Sequence, residues 1–395
     1  MTTELPANLD RSQNKLASLQ VIRLSSRRGL QCLLAASTLG VLATGFTDTP
    51  AGWINNSNLT AYSTDAQTLE ISAAVLRVND TLDVFNIREE LLAGNRRLVG
   101  DSGDLKGARF ELNYGVTEWL SVFYRQQQQA LRVDVGEVAS VNILDIDSDL
   151  DTDRQEVGVK WVFFEGDLLN QDDRISAAAL ELSAFSNSSD SFDVLTDSIS
   201  LNGLNISFTD PRTFSVTDLD DDGWTARLLY STQLFGSAVG SAWLGYRESE
   251  SSSSTDSDIG SEFIARQFRQ QFSLEENYWL GGFSLNFSLT PRLPVQLSYE
   301  YLRTSSSEFV RDPETPPAGL PGFLSASPSG EEVNHSFRGQ ISYWLTPDLH
   351  ATLSGNLYSN QFLGVIPHFN NPLSGSFSDN PYGYLGLGIG YRFSF

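Results

Sequence analysis

Three features of this chain could do chemistry: a histidine beside a hydroxyl, dense runs of aspartate, and charged side chains recurring at every second position. His335 and Ser336 are neighbours. In an extended strand neighbours point to opposite faces, so the imidazole cannot serve that hydroxyl as a base, and Asn334 shares its face instead. His350 and His368 have no motif partner and read as interfacial or surface residues. The runs Asp145-Ile-Asp-Ser-Asp-Leu-Asp-Thr-Asp153 and Asp218-Leu-Asp-Asp-Asp-Gly223 offer hard oxygen ligands at alternating spacing, suited to Ca²⁺ or Mg²⁺. Asp218, Asp220 and Asp222 are the metal candidates, but the run lacks the full calcium-loop pattern with its terminal Glu, and a hydrated acidic surface is the favoured reading.

The third feature is the most extensive. Arg109 and Glu111, Arg125 and Gln127, Glu156 and Lys160, Glu181 and Ser183, Gln296 and Glu300, and Arg338 and Gln340 each lie on one face of a period-two segment whose other face is apolar. Arg227, Arg247, Asn356 and Arg392 occupy similar places. That period belongs to β-strands. Twelve strands are expected, at 69–76, 108–116, 120–129, 155–164, 175–185, 224–234, 239–249, 278–289, 295–303, 336–345, 350–358 and 382–395. Short turns alternate with long polar stretches: 115–120, 288–293 and 344–349 carry Thr with Pro or an acidic residue, as tight connections do. The polar stretches 77–107, 130–154, 186–223, 250–277, 304–335 and 359–381 are rich in Ser, Asp, Asn, Gly and Pro and are expected to be loops.

The last strand is the most regular. Leu385, Leu387, Ile389, Tyr391, Phe393 and Phe395 alternate with Gly386, Gly388, Gly390, Arg392 and Ser394, and the chain ends on an aromatic residue. This C-terminal strand resembles those of bacterial outer-membrane β-barrels. The resemblance implies an all-β, transmembrane, antiparallel up-and-down barrel of about 12 strands (10–14), with short periplasmic turns and long extracellular loops. It further implies the outer membrane of a Gram-negative bacterium, with lipid and lipopolysaccharide as surroundings. Tyr391, Phe393 and Phe395 are then the assembly signal read by the barrel-assembly machinery, with periplasmic chaperones on the route. Outer-membrane phospholipases carry His and Ser two apart on one strand face, a spacing that His335 and Ser336 lack. Nor is the paired-carboxylate and His–Asp constellation of omptin-like proteases identifiable. No enzyme activity and no cofactor are therefore expected.

Composition agrees with that class. A mean hydropathy of -0.20 is too polar for a helical membrane protein, while 24 Phe, 13 Tyr and 7 Trp suit a lipid-facing sheet with aromatic interfaces. Arg23, Arg27 and Arg28 precede an apolar run from Leu30 to Phe46, so residues 1–51 read as a secretory signal with a long n-region, cleaved near 45–51. Residues 52–67 are expected to be a periplasmic N-terminal segment and 68–395 the barrel. The sole cysteine, Cys32, falls in the signal, which excludes disulfide scaffolds and thiol chemistry. A net charge of -23 excludes nucleic acid as the main partner.

A charged side chain on the lipid-facing midplane costs about 2–4 kcal/mol, so the charged face must turn inward. Arg109, Glu111, Arg125, Glu156, Lys160, Glu181, Arg227, Arg247, Glu300, Arg338 and Arg392 are accordingly the expected pore lining, with Glu70 beside them. Seven cations against five Glu suggest a channel for small hydrophilic, anionic solutes, and the inward glycines 386, 388 and 390 suggest open space. The alternative is a non-conducting structural or adhesive barrel acting through its long acidic loops, which would hold divalent cations.

Overall fold

The computed structural model describes residues 59–78, 105–131, 136–138, 141–146, 150–166, 176–201, 204–235, 238–260, 270–311, 333–358 and 382–395. The expected signal at 1–51 lies outside them. Fifteen strands follow in chain order: β1 (Thr68–Val78), β2 (Leu105–Thr117), β3 (Leu120–Leu131), β4 (Gly136–Val138), β5 (Val141–Ile146), β6 (Leu150–Gly166), β7 (Ser176–Ser189), β8 (Phe192–Leu201), β9 (Leu204–Phe235), β10 (Ala238–Ser257), β11 (Gln270–Thr290), β12 (Leu293–Arg311), β13 (Val333–Trp344), β14 (Leu349–Tyr358) and β15 (Tyr382–Ser394).

All but β4, β5 and β8 form a closed antiparallel barrel of twelve strands. Closure is visible at Ile71, which pairs with Leu112 of β2 on one side and Tyr391 of β15 on the other. Each of the twelve expected strands is found, most of them longer than expected, by about eight residues in β10, β11 and β12 and by about twenty in β9. The short turns and both ends of the barrel chain share one rim, where the Phe395 amide donates to the Gln67 carbonyl at 3.1 Å.

The side-chain split follows from what each face touches. Outward positions are large, apolar and exposed, including Val157 at 59%, Leu244 at 60% and Leu387 at 62%; in water such a surface would aggregate, and in hydrocarbon it is solvated. Trp119, Trp161, Tyr343 and Phe393 are exposed near the short-turn rim. Trp224, Tyr246 and Trp279 form an outward cluster, with centroids 5.6 and 5.4 Å apart, towards the other. Aromatic rings at both levels mark the two interfaces of a bilayer. His335 points outward, its Nδ1 2.7 Å from the Tyr299 hydroxyl, while Ser336 pairs in register with Glu300 on the inward face.

The structure corrects three expectations. First, 130–154 and 186–223 are not simply loops: they contain β4, β5 and β8 and the upper parts of β6, β7 and β9, and β10 and β11 likewise extend through much of 250–277. β9 alone has 32 residues, on the order of 100 Å of extended chain. Its upper half pairs with β8, which pairs with β5, and Val194, Phe214 and Val216 are buried there. These strands lack a continuous apolar face because they lie beyond the lipid, so their composition reads as loop. Second, the aromatic residues are not all at the lipid-facing interfaces: Tyr278 and Trp344 are buried at 1% and 6% exposure. Third, the inward glycines of β15 do not simply leave space. A Cβ at Gly390 would collide with the His350 ring, and one at Gly386 with Ser354 and Leu76, so each is a slot filled by a neighbour.

The inward and outward registers predict an asymmetry. Leu387→Arg should lower the unfolding free energy in lipid by about 2–4 kcal/mol, measured by denaturant titration of the refolded barrel. A loss below about 0.5 kcal/mol would contradict the outward placement of this face.

Candidate functional site

The site is the lumen, and its first element is the chain ahead of the barrel. Thr60, Ala61, Tyr62, Ser63 and Thr64 are all 8% exposed or less. After Thr64 the chain turns at the rim, where a Cβ on Gly115 would collide with the Thr64 and Asp65 carbonyls, and Gln67 takes a positive φ of 57° before β1 begins. Ala61 and Tyr62 join Val162, Ala177, Ala179, Leu229, Val239, Trp243 and Leu280 in one hydrophobic cluster, so the segment packs against the inner wall of β6, β7, β9, β10 and β11. The Ala61 amide donates to Ser231 Oγ at 2.7 Å, and Ser284 Oγ donates to the Leu59 carbonyl at 3.3 Å. Within the stretch 52–67, expected to be a periplasmic N-terminal segment, residues 60–64 are thus enclosed by barrel wall.

Lys160 explains how this polar backbone is tolerated. Its ammonium, expected to line a pore, donates to the Thr60 carbonyl at 3.0 Å and the Tyr62 carbonyl at 3.4 Å. A buried polar group without a partner is unfavourable, and one cation here satisfies two carbonyls.

Charge pairing accounts for most of the other expected lining. Arg125 meets Glu156 at 3.3 Å and lies over the Phe123 ring at 4.2 Å. Arg227 bridges Glu181 at 2.9 Å and Glu300 at 3.5 Å, and Trp243 Nε1 donates to the same Glu300 oxygen at 3.1 Å. This belt joins β7, β9, β10 and β12 across their inner faces. Arg392 binds Glu70 at 2.8 Å, and Arg109 lies 3.4 Å from Glu111 on the same strand. Arg247 stands 3.8 Å from Asp221 and packs on the Phe185 ring at 4.1 Å. In a low-dielectric interior each pair needs such geometry to offset desolvation.

Asp221 and Glu276, at 0% and 5% exposure, escaped the sequence reading because 186–223 and 250–277 were treated as loops. Extending the period from Arg227 through Thr225 and Gly223, and from Leu280 through Tyr278, would have found both. They raise the inward carboxylates to parity with the seven cations, and the expected arginine excess disappears. The metal candidates do not converge: Asp218 occupies a left-handed bend with φ 56° and accepts from Thr217 Oγ1 at 3.0 Å, while Asp220 and Asp222 are exposed. Slight desolvation and the neighbouring Asp222 and Asp218 carboxylates raise the Asp220 carboxyl above its usual range. No group of carboxylates, histidines or thiols suited to a metal gathers among the described residues.

The opposite side of the lumen contains space. A cavity of about 150 Å³ is lined by Glu70 and Ser72 of β1, Arg109, Glu111 and Asn113 of β2, Asn286 of β11, Gln296 of β12, Arg338, Gln340 and Trp344 of β13, and His350, Ser354 and Asn356 of β14, with Leu59 at its edge. Of the expected lining residues, Arg109, Glu111 and Arg338 meet here; Arg125, Glu156, Lys160, Glu181, Arg227, Arg247 and Glu300 belong to the packed side. Tyr391, Phe393 and Phe395 are exposed on the outer face of the final strand, the Tyr391 and Phe393 rings 4.5 Å apart.

No protein-family model and no curated protein matches the sequence. Solved structures similar to this chain include the translocator domain of the autotransporter NalP from Neisseria meningitidis, with 10% identity, 92% of this chain and 98% of that one covered, and a TM-score of 0.44. The toluene transporter TbuX from Ralstonia pickettii shows 10% identity over 89% of this chain and 95% of its own, with a TM-score of 0.42. The KdgM porin shows 6% identity over 82% and 99%, with a TM-score of 0.35. The closed sheet, its apolar exterior and its polar, charge-paired interior give this chain the fold of an outer-membrane β-barrel.

The packed side yields two predictions. Ala61→Cys with Ser231→Cys should form a disulfide on oxidation, seen as a mobility shift of the unfolded protein, because the 2.7 Å contact brings the backbones within bridging range; no bridge would place the segment elsewhere. Glu181→Leu, which leaves Arg227 short of its nearest carboxylate, should destabilise by about 3–5 kcal/mol in denaturant titration.

Proposed function

We propose that the protein is an outer-membrane channel through which small hydrophilic solutes diffuse along one side of the lumen, without covalent chemistry. The polar cavity beside β1, β2 and β11–β14 carries this reading. The packed side, filled by residues 60–64 and the ion-pair belt, confines the route to that wall, so the bore is far narrower than a twelve-stranded circumference would allow. Because carboxylates match cations across the inner face, ion preference is weak, in place of the anion preference that an arginine excess would produce. The exposed Tyr391, Phe393 and Phe395 suit recognition by assembly machinery at the periplasmic rim, and the acidic exterior suits divalent cations shared with lipopolysaccharide phosphates.

The exterior sheet of β4, β5, β8 and upper β9, with its own buried Val194, Phe214 and Val216, favours a second reading: a non-conducting barrel acting through this exposed structure. Planar bilayers separate the two. Refolded protein should show discrete conductance steps with a cation-to-anion permeability ratio near one; persistent silence supports the second reading. Arg338→Glu should shift the ratio towards cations by about threefold. Arg125→Glu should lower thermal stability and leave the ratio unchanged, because Arg125 and Glu156 pair on the packed side and neither lines the cavity.

A further inference from the structure

The same cavity carries a claim about what it passes. Resting on the channel reading, we propose that it is a subsite for a neutral, polyhydroxylated solute of single-sugar size. Its lining holds two cations, Arg109 and Arg338, and two carboxylates, Glu70 and Glu111, and both carboxylates are already engaged, Glu70 by Arg392 and Glu111 by Arg109. A charged solute entering would lose hydration without gaining an uncommitted counter-charge.

Carboxamides supply much of the remaining wall: Asn113, Asn286, Gln296, Gln340 and Asn356, each with both a donor and an acceptor. Three buried atoms on lining residues have no hydrogen-bond partner among the described residues, the donor Trp344 Nε1, the acceptor Asn286 Oδ1 and the imidazole His350 Nδ1, although Asn286 Nδ2 donates to Ser284 Oγ at 3.4 Å. A carboxylate only accepts and an ammonium only donates, so neither satisfies both Trp344 Nε1 and Asn286 Oδ1; a hydroxyl does both. The volume of about 150 Å³ corresponds to about five waters at about 30 Å³ each, the scale of a sugar ring or short polyol.

Proteoliposome swelling with glucose, glucuronate and glucosamine tests this, because the three share a ring and differ in charge. Glucose should enter about fivefold faster than either charged analogue, corresponding to about 1 kcal/mol. Asn286→Leu should reduce that advantage to less than about twofold. Equal rates for the three, or faster glucuronate, would overturn the subsite and leave the channel standing. If Asn286→Leu does not fold, Gln340→Leu, which also removes a lining carboxamide, must produce the same loss, and an unchanged glucose advantage there overturns the proposal. Absence of both KCl current and swelling would instead remove the channel reading and the subsite with it.

Discussion

Everything in this molecule depends on the exclusion of charge from the lipid face. Hydrocarbon cannot solvate a guanidinium or a carboxylate, so the alternation along each strand sorts every ionised group into the enclosed lumen. The lumen is too narrow to hydrate them all, and they neutralise one another: Arg125 with Glu156, Arg227 with Glu181 and Glu300, Arg392 with Glu70. Selection against charge outside thereby produces a salt-bridged framework inside, and that framework decides which side of the barrel stays open.

Packing completes the division. Residues 60–64 bring an apolar patch, Ala61 and Tyr62, onto the inner wall of β6 to β11, and Lys160 satisfies two of their carbonyls. Inward glycines take the rings of their neighbours: Gly158 accommodates Phe123, Gly223 Phe185, and Gly282 Trp243. Such slots let large side chains lie flat on the wall, giving this side the density of a protein core rather than of a pore lining. On the opposite side the lining mixes carboxamides and hydroxyls with Arg109, Arg338, Glu70 and Glu111, and the cavity is the space that these side chains leave.

The strands themselves were legible. Period two is enforced wherever one face meets lipid, so all twelve barrel strands could be located from alternation alone, and the inward or outward sense of Arg109, Glu181 or Leu387 followed from the cost of misplacing a charge. Where lipid ends, that enforcement ends too. β4, β5, β8 and the upper half of β9 have water on their outer side, their polar residues follow no strict period, and they looked like loop. Asp221 and Glu276 were hidden for the same reason, although both continue the inward series of their strands.

The amino-acid sequence by itself determined the class of fold, a barrel of about twelve strands, and the inward or outward sense of residues such as Arg109 and Leu387, because those depend on local periodicity and the solvent at each face. Only the tertiary structure decided which charges meet, that residues 60–64 occupy the lumen, and where the cavity lies. Those outcomes depend on which strands face one another across a closed ring, a relation between residues such as Arg227 and Glu300 that no local pattern encodes.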